Sequence, residues 1–342
     1  MQKINNLESL RGIAALIVAL YHLPALSFYH IESGWLGVYF FFSLSGFVIA
    51  LNYFEKIKDW NSLINFKKKR LLRLYPVYIF VLLLVLLIQT GKFFLVDLLE
   101  ISYEQKAFQP SEWFTKLDFL QHIFLAQSVT NLGYHLSWNA AAWTISAEFY
   151  TYLIFSLIIL SIKNNKIIFS IIVIVYTIFF DLIATYLKAY VNFLFLDCLR
   201  YFLLGSLMYI VFKKIKFKVN DFLVITILSL LVFFHNIFPN YIIYPLIVLI
   251  ISTQKKENYI YKFLNQKYLV YFGTISYSFY MIHQVLFYIL NQFLKLMNIN
   301  FYSGIYQYSF ILDTTLTITY IVIGIVVSII MYKFIENKIR VR

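Results

Sequence analysis

Long apolar stretches, broken by short clusters of charge, run along almost the whole 342-residue chain. Wound as helices, stretches of about 20 residues match the ~30 Å hydrocarbon core of a bilayer. The pattern predicts about ten spans, near 9–29, 34–52, 72–91, 143–162, 167–187, 191–212, 221–236, 241–254, 270–294 and 309–332. The seventh and eighth are short and adjoin or contain Pro239 and Pro245. The expected architecture is an all-α, polytopic transmembrane helix bundle forming a single integral-membrane domain over residues 1–342. The pattern lapses from about Gly91 to Ala142, where WFTKLDFLQHIFLAQSV places its apolar residues at helical spacing. An amphipathic helix on the outer face is the expectation there, with a partial span or packed loop as the other reading.

Composition agrees with a membrane solvent. The chain is 61% hydrophobic and 13% charged, with a mean hydropathy of +0.76; soluble domains carry about 25% charge. The single cysteine, Cys198, excludes an internal disulfide and thiolate metal clusters, and no metal site is expected. A net charge of +13 suggests nucleic acid until its placement is considered. With both termini cytoplasmic, the outer segments hold only Lys92, Lys106, Lys116, Lys188 and Lys295. Apart from Arg200 within a span, the other Lys and Arg residues fall on the inner side, the positive-inside pattern. Membrane lipids are therefore the expected surroundings, and nucleic acid is not an expected partner. Lys3 precedes an apolar run with no small-residue cleavage site after it, so that run is expected to be a retained helix.

Ionisable groups inside spans are costly and usually functional. Arg11 and His22 bracket one uncharged run, RGIAALIVALYH, roughly 16 Å apart along a helix. Counted from the expected span ends, His22, Glu148 and His283 fall at one depth near 20 Å, where they can line a single outward-facing cavity. Taken alone, His283 reads more readily as a hydrogen-bonded core residue. Arg200 lies at a depth where it can partner Glu148; Asp197, three residues earlier on the same helix, offers a local partner instead. At the inner face, KKKRLLRLYPVY puts Arg70 and Arg73 on one side of a helix, with Arg11 at the same level and Glu8 beside it. Such guanidinium forks grip phosphate oxygens, or serve only as membrane anchors. Ser43, Ser45 and Ser146 are possible relays, although small residues that ease helix packing explain them better.

These stretches together resemble the acyltransferase 3 family of bacterial membrane O-acyltransferases. The resemblance lies in LESLRGIAALIVALYH; in GWLGVYFFFSLSGFVIA with Gly37, Val38, Phe41, Phe42, Ser45, Gly46 and Phe47; and in KRLLRLYPVY with Arg70, Arg73, Tyr75 and Pro76. It continues in NAAAWTISAEFYTY with Asn139, Trp143 and Glu148, in ISYSFYMIHQ ending at His283, and in YKFIENKIR around Glu336. Tyr39, Thr144 and Lys338 depart from common residues of the family. The chain resembles a stand-alone version without the esterase-like domain that members often carry.

The resemblance implies transfer of an acyl group, often acetyl, from acyl-CoA to a glycan or lipid-linked sugar hydroxyl. The setting it implies is the bacterial inner membrane, with acyl-CoA (acetyl-CoA) as co-substrate and no bound cofactor. Arg70 and Arg73 match the donor-binding arginines, with Arg11 holding donor or bracing the site, and His22 matches the catalytic base. An imidazole suits that role because its ordinary pKa lies near 6.5. Glu148 or another acid is expected to fix the His22 tautomer, while His283, Ser45, Trp143, Asn139 and Arg200 are candidates to line the site. Extended pantetheine is long enough to bridge the arginines and the base, so donor entry from below and acceptor entry from above is the expectation. The competing readings are a polytopic transporter or flippase for an anionic or lipid-linked sugar, and a structural subunit whose buried charges pair internally.

Overall fold

A computed structural model describes residues 4–23, 27–98, 107–109, 111–214, 220–233, 239–254, 256–296 and 310–340. Among these, regular structure is helical apart from one isolated bridge between Thr130 and Val191. The α-helices are α1 (Asn5–Tyr21), α2 (Leu36–Tyr53), α3 (Trp60–Lys92), α4 (Lys116–Ile123), α5 (Trp143–Ser161), α6 (Lys166–Ile178), α7 (Phe180–Leu187), α8 (Phe193–Lys214), α9 (Asp221–Phe233), α10 (Asn240–Ser252), α11 (Tyr259–Leu264), α12 (Lys267–Leu296), α13 (Phe310–Met331) and α14 (Asn337–Arg340).

Five helical stretches are long and apolar enough to cross a membrane: Glu32–Tyr53, Trp60–Val96, Ala140–Ser161, Phe193–Lys214 and Phe310–Glu336. A sixth arises if α6 and α7, bent by 67° at Phe179, form one broken span. The remaining expected spans differ for physical reasons. Helix α1 has 17 residues and stops at Tyr21 rather than reaching 29. Helices α9 and α10 have 13 residues each, about 20 Å of rise, short of the hydrocarbon thickness. Helix α12 has 30 residues, but Thr274, Ser276, Tyr277, Ser278, His283 and Gln284 dilute its apolar character.

Local sequence sets several of these ends. Asp59 caps α3 by accepting the Ser62 amide at 2.7 Å, and the Ser62 hydroxyl accepts the Asp59 amide at 3.1 Å, a reciprocal capping box. At the end of α1, the His22 and Leu23 amides donate to the Ala19 and Leu20 carbonyls, freeing the Val18 carbonyl. The His22 ring lies 2.8 Å from that oxygen and caps it. Pro24 disfavours helical backbone at the preceding residue, consistent with the stop.

The main core joins α2, α3, α5, α8 and α10, and a second cluster joins α1, α12 and α13 through Ala15, Ala19, Phe279, Phe287 and Tyr320. Helices α2 and α8 pack so closely that a Cβ at Gly46 would overlap the Phe202 carbonyl oxygen. Helices α1 and α12 meet in the same way, with Gly273 against the Glu8 carbonyl. Small residues permit this backbone approach where lipid offers no hydrophobic drive for association. Outward faces carry bare apolar side chains, among them Leu83 and Leu87 on α3 and Ile318 and Val322 on α13.

Within the long segment between α3 and α5, the expected amphipathic helix is α4, eight residues long. Its orientation is the reverse of a soluble helix. Asp118, Gln121 and His122 are buried, whereas Leu117, Leu120 and Phe124 are exposed. Much of the polar face is satisfied inside, although Gln121 Oε1 has no hydrogen-bond partner among the described residues. Gln127 donates to the Tyr78 hydroxyl at 2.8 Å, Tyr78 donates to His122 Nδ1 at 2.8 Å, and His122 Nε2 donates to the Ser137 carbonyl at 2.9 Å. Burial pushes the His122 pKa down to about 3.

Candidate active site

An open cavity, about 700 Å³ with the space at its mouth included, lies between α1, α2, α3, α5 and α12. Its α2 wall runs from Val38 to Ile49, roughly 16 Å of helix. One end is cationic and polar, the other apolar and aromatic. Arg11, Arg70 and Arg73 are at the polar end with Ser45, Glu148 and Tyr152. Val38, Phe41, Phe42, Ile145 and Tyr280 line the opposite stretch.

The three arginines are held differently. Arg11 donates to both carboxylate oxygens of Glu8, at 3.1 and 3.2 Å. Arg70 is buried, donates to the Tyr53 hydroxyl at 3.1 Å, and lies over the Tyr53 and Phe66 rings. Arg73 makes no hydrogen bond within the protein among the described residues. The Tyr152 hydroxyl and the Glu8, Glu336 and Glu148 carboxylates are near enough to act on its charge.

Glu148 is oriented by Ser45 and Tyr152, which both donate to its Oε1; the Ser45 and Tyr152 oxygens are 2.9 Å apart. The carboxylate thus belongs to the arginine end. The expected common level for His22, Glu148 and His283 is not what the structure has. His22 is the C-cap of α1, at its very end, whereas Glu148 stands five residues inside α5, about 8 Å of rise. Counting His22 up from an inner span end and Glu148 down from an outer one made two different depths coincide. Among the described residues Glu148 makes no hydrogen bond to His22 and does not fix its tautomer.

His22 and His283 do meet. Their rings are 5.0 Å apart, and His283 Nε2 is 3.3 Å from His22 Nδ1. His283 Nδ1 is 2.5 Å from the Tyr280 carbonyl oxygen, and its ring packs on Tyr280, which lines the cavity. The histidine pair therefore begins one helical turn beyond the apolar end of the cavity. Gln284, which sequence reasoning missed, bridges Ala141 and His22: its Oε1 accepts the Ala141 amide at 2.9 Å, and its Nε2 is 2.6 Å from His22 Nε2. Tyr53 and Tyr152 were missed as well. Only the spacing of Tyr152, four residues after Glu148, offered a signal.

The other candidates lie around rather than in the cavity. Asn139 ties the start of α5 to α12 by donating to the Met281 carbonyl at 3.2 Å. Trp143 packs its ring on Phe42, 5.9 Å between centroids. Arg200 is paired with Asp197 and wedged against the Phe180 and Tyr241 rings, at 3.8 and 4.3 Å, outside the cavity and away from Glu148. The local pairing is thus the one that forms. Among the described residues no three His, Cys, Asp or Glu side chains gather as metal ligands do.

A helical bundle with bare apolar outer faces and an arginine-lined cavity next to a histidine pair has the form of a membrane enzyme. The chain belongs to the acyltransferase 3 family, whose acyltransferase domain it matches over residues 4–333. It is similar to an O-acetyl transferase of Shigella phage Sf6, 26% identical over 177 residues that cover 48% of this chain and 49% of that protein. It is also similar to protein 2 of the picA locus of Rhizobium radiobacter, 38% identical over 79 residues covering 23% of this chain and 41% of that one. The chain thus spans about half or less of the length of the curated relatives it matches. No solved structure matches.

Proposed function

We propose that this chain moves an acyl group, acetyl in the first instance, from acyl-CoA to a hydroxyl of a cell-surface or exported glycan. One observation carries the reading: a single cavity joins three guanidinium groups at one end to the doorstep of His22 at the other. In this reading Arg70, Arg73 and Arg11 hold the donor phosphates, and the pantetheine arm follows the α2 wall past Phe42 and Phe41. The thioester then comes to rest near Tyr280. His22 takes the proton of the attacking hydroxyl. The acceptor oxygen bonds the acyl carbon, the carbon–sulfur bond breaks, and the proton passes to the departing thiolate. A base of this kind contributes typically 10²–10⁴-fold. Glu148, Ser45 and Tyr152 order the arginine end. Acetyl as the group transferred follows the name of the phage relative.

In the same reading the domain threads the bacterial inner membrane with both termini in the cytoplasm, helices α1, α9, α10 and α12 completing a bundle of about ten. The long segment containing α4 then lies on the outer face with Leu117, Leu120 and Phe124 toward lipid.

The test is transfer by purified full-length protein in nanodiscs, with radiolabelled acetyl-CoA and a panel of glycan acceptors. Wild type is expected to release CoA and label an acceptor, and His22→Ala to lose at least a hundredfold in rate. Sugar uptake into vesicles without thioester turnover refutes the enzyme reading in favour of transport.

A further inference from the structure

We propose that Gln284 is the positioning residue for His22, holding the ring in the tautomer whose Nε2 lone pair receives the acceptor's proton. The inference rests on the reading of His22 as the base. A backbone amide only donates, so the Ala141 N–H 2.9 Å from Gln284 Oε1 settles which end of the carboxamide is oxygen. The Gln284 amide nitrogen, itself only a donor, is then 2.6 Å from His22 Nε2. His22 Nε2 must accept, and its single proton is on Nδ1. That proton has two acceptors, the Val18 carbonyl at 2.8 Å and His283 Nε2 at 3.3 Å. His283 in turn carries its proton on Nδ1, donated to the Tyr280 carbonyl. One assignment satisfies every ring nitrogen: the Val18 carbonyl holds the Nδ1 proton on one side, and the Gln284 amide keeps Nε2 unprotonated on the other.

The consequence is chemical. The Nδ1–H tautomer leaves Nε2 basic and turned away from the helix backbone. At rest the Gln284 amide covers that lone pair; the acceptor hydroxyl takes its place, passes its proton to Nε2, and attacks the thioester carbon as the thiolate departs. The imidazolium that forms keeps its Nδ1–H on Val18 and His283. The titratable groups that face His22 are His283 from α12, His30 from the connection to α2, and Tyr21 beside it, while Tyr280 packs on His283. Tyr320 of α13 reaches the His283 carbonyl at 3.2 Å. Among the described residues no carboxylate bonds to either ring, so an amide does the orienting work given to a carboxylate in acid–base triads.

Two measurements test this on the full-length protein in nanodiscs. In ¹⁵N-histidine NMR, with His22 assigned by its loss in His22→Ala, the resting wild type should show Nδ1 protonated and Nε2 bare. In rate–pH profiles, Gln284→Glu places an acceptor against Nε2 and should draw a proton there. The acid limb of kcat/KM should rise by a pH unit or more, with a tenfold loss near neutrality that recovers at higher pH. Gln284→Met, which has no donor, should lower kcat several-fold without that shift and without raising KM for acetyl-CoA. An Nε2–H tautomer in wild type, or identical pH profiles for the Glu and Met variants, overturns the proposal. If one variant fails to fold, the ¹⁵N-histidine spectrum of the other decides, and an unchanged Nδ1–H tautomer there overturns the proposal. A His22→Ala enzyme that keeps its rate overturns the base reading by itself, and the spectrum still reports whether Gln284 sets the ring.

Discussion

Arg73 and Arg70 offer the sharpest separation between donor binding and structural support. Arg73 has no hydrogen bond within the protein among the described residues, although the Glu8, Glu148 and Glu336 carboxylates act on its charge. Deleting the charge would disturb those carboxylates, so the informative change is Arg73→Lys, which keeps the charge and removes the planar fork. A hydrogen bond to a charged group is worth about 1.5–3 kcal/mol, and losing one arm of a bidentate grip falls at the lower end. At RT of about 0.59 kcal/mol, 1.5 kcal/mol corresponds to roughly a tenfold rise in KM for acetyl-CoA. Thermal stability in detergent should stay near wild type. Arg70→Lys differs because its guanidinium also bonds Tyr53 and rests on two aromatic rings. It should raise KM by a similar factor and also cost about 1–2 kcal/mol of stability, seen as a lower melting temperature. The donor series decides the cause. With acetyl-CoA, acetyl-dephospho-CoA and acetyl-pantetheine as donors, the Arg73→Lys effect should shrink as phosphates are removed and vanish with the last. An equal KM penalty on acetyl-pantetheine would refute phosphate recognition by Arg73.

Three further outcomes follow from the packing. Arg200→Met alone strands Asp197 in a buried site and should cost about 3–5 kcal/mol, whereas Arg200→Met with Asp197→Leu should regain most of it; donor KM should not move in the folded double variant, and a tenfold rise would return Arg200 to the site. Gly46→Val forces a side chain into the Phe202 carbonyl and should cost about 1–3 kcal/mol or prevent assembly, read from melting and size-exclusion profiles; wild-type behaviour would contradict the close α2–α8 contact. His122, pushed down to about 3 in the folded segment, binds a proton near 6.5 when that segment opens. Its contribution is complete above about pH 6.5 and is lost as pH falls toward 3, amounting to about 2 kcal/mol by pH 5. Acid-dependent proteolysis of the α4 segment should therefore appear in wild type and weaken in His122→Gln; equal pH dependence in both would exclude His122 as the cause.

Apolar periodicity revealed the solvent and the helical class of this protein, and the arginine triplet needed only spacing, because a run such as KKKRLLRLYPVY has one face wherever it is placed. What spacing could not supply was the height of one helix against another. His22 and Glu148 seemed level because one was counted up from an inner span end at residue 9 and the other down from an outer end at 143, whereas α1 begins at Asn5. Once α1 ends at Tyr21, His22 becomes a cap on its own helix, and the carboxylate expected beside it lies among the arginines instead. The orienting group was invisible for a different reason. A glutamine next to a histidine carries no charge, no period and no desolvation alarm, so nothing in the chain marks Gln284 until Ala141 and His22 are seen on either side of it. A buried charge announces itself through its cost, whereas a neutral amide reveals its role only when its two ends are found to face a donor and an acceptor. The separation this produces is chemically coherent: Glu148 stays with the arginines, and His22, the base under the proposed function, stands among neutral partners. There its imidazole can gain and lose a proton without an ion pair to hold it in one state.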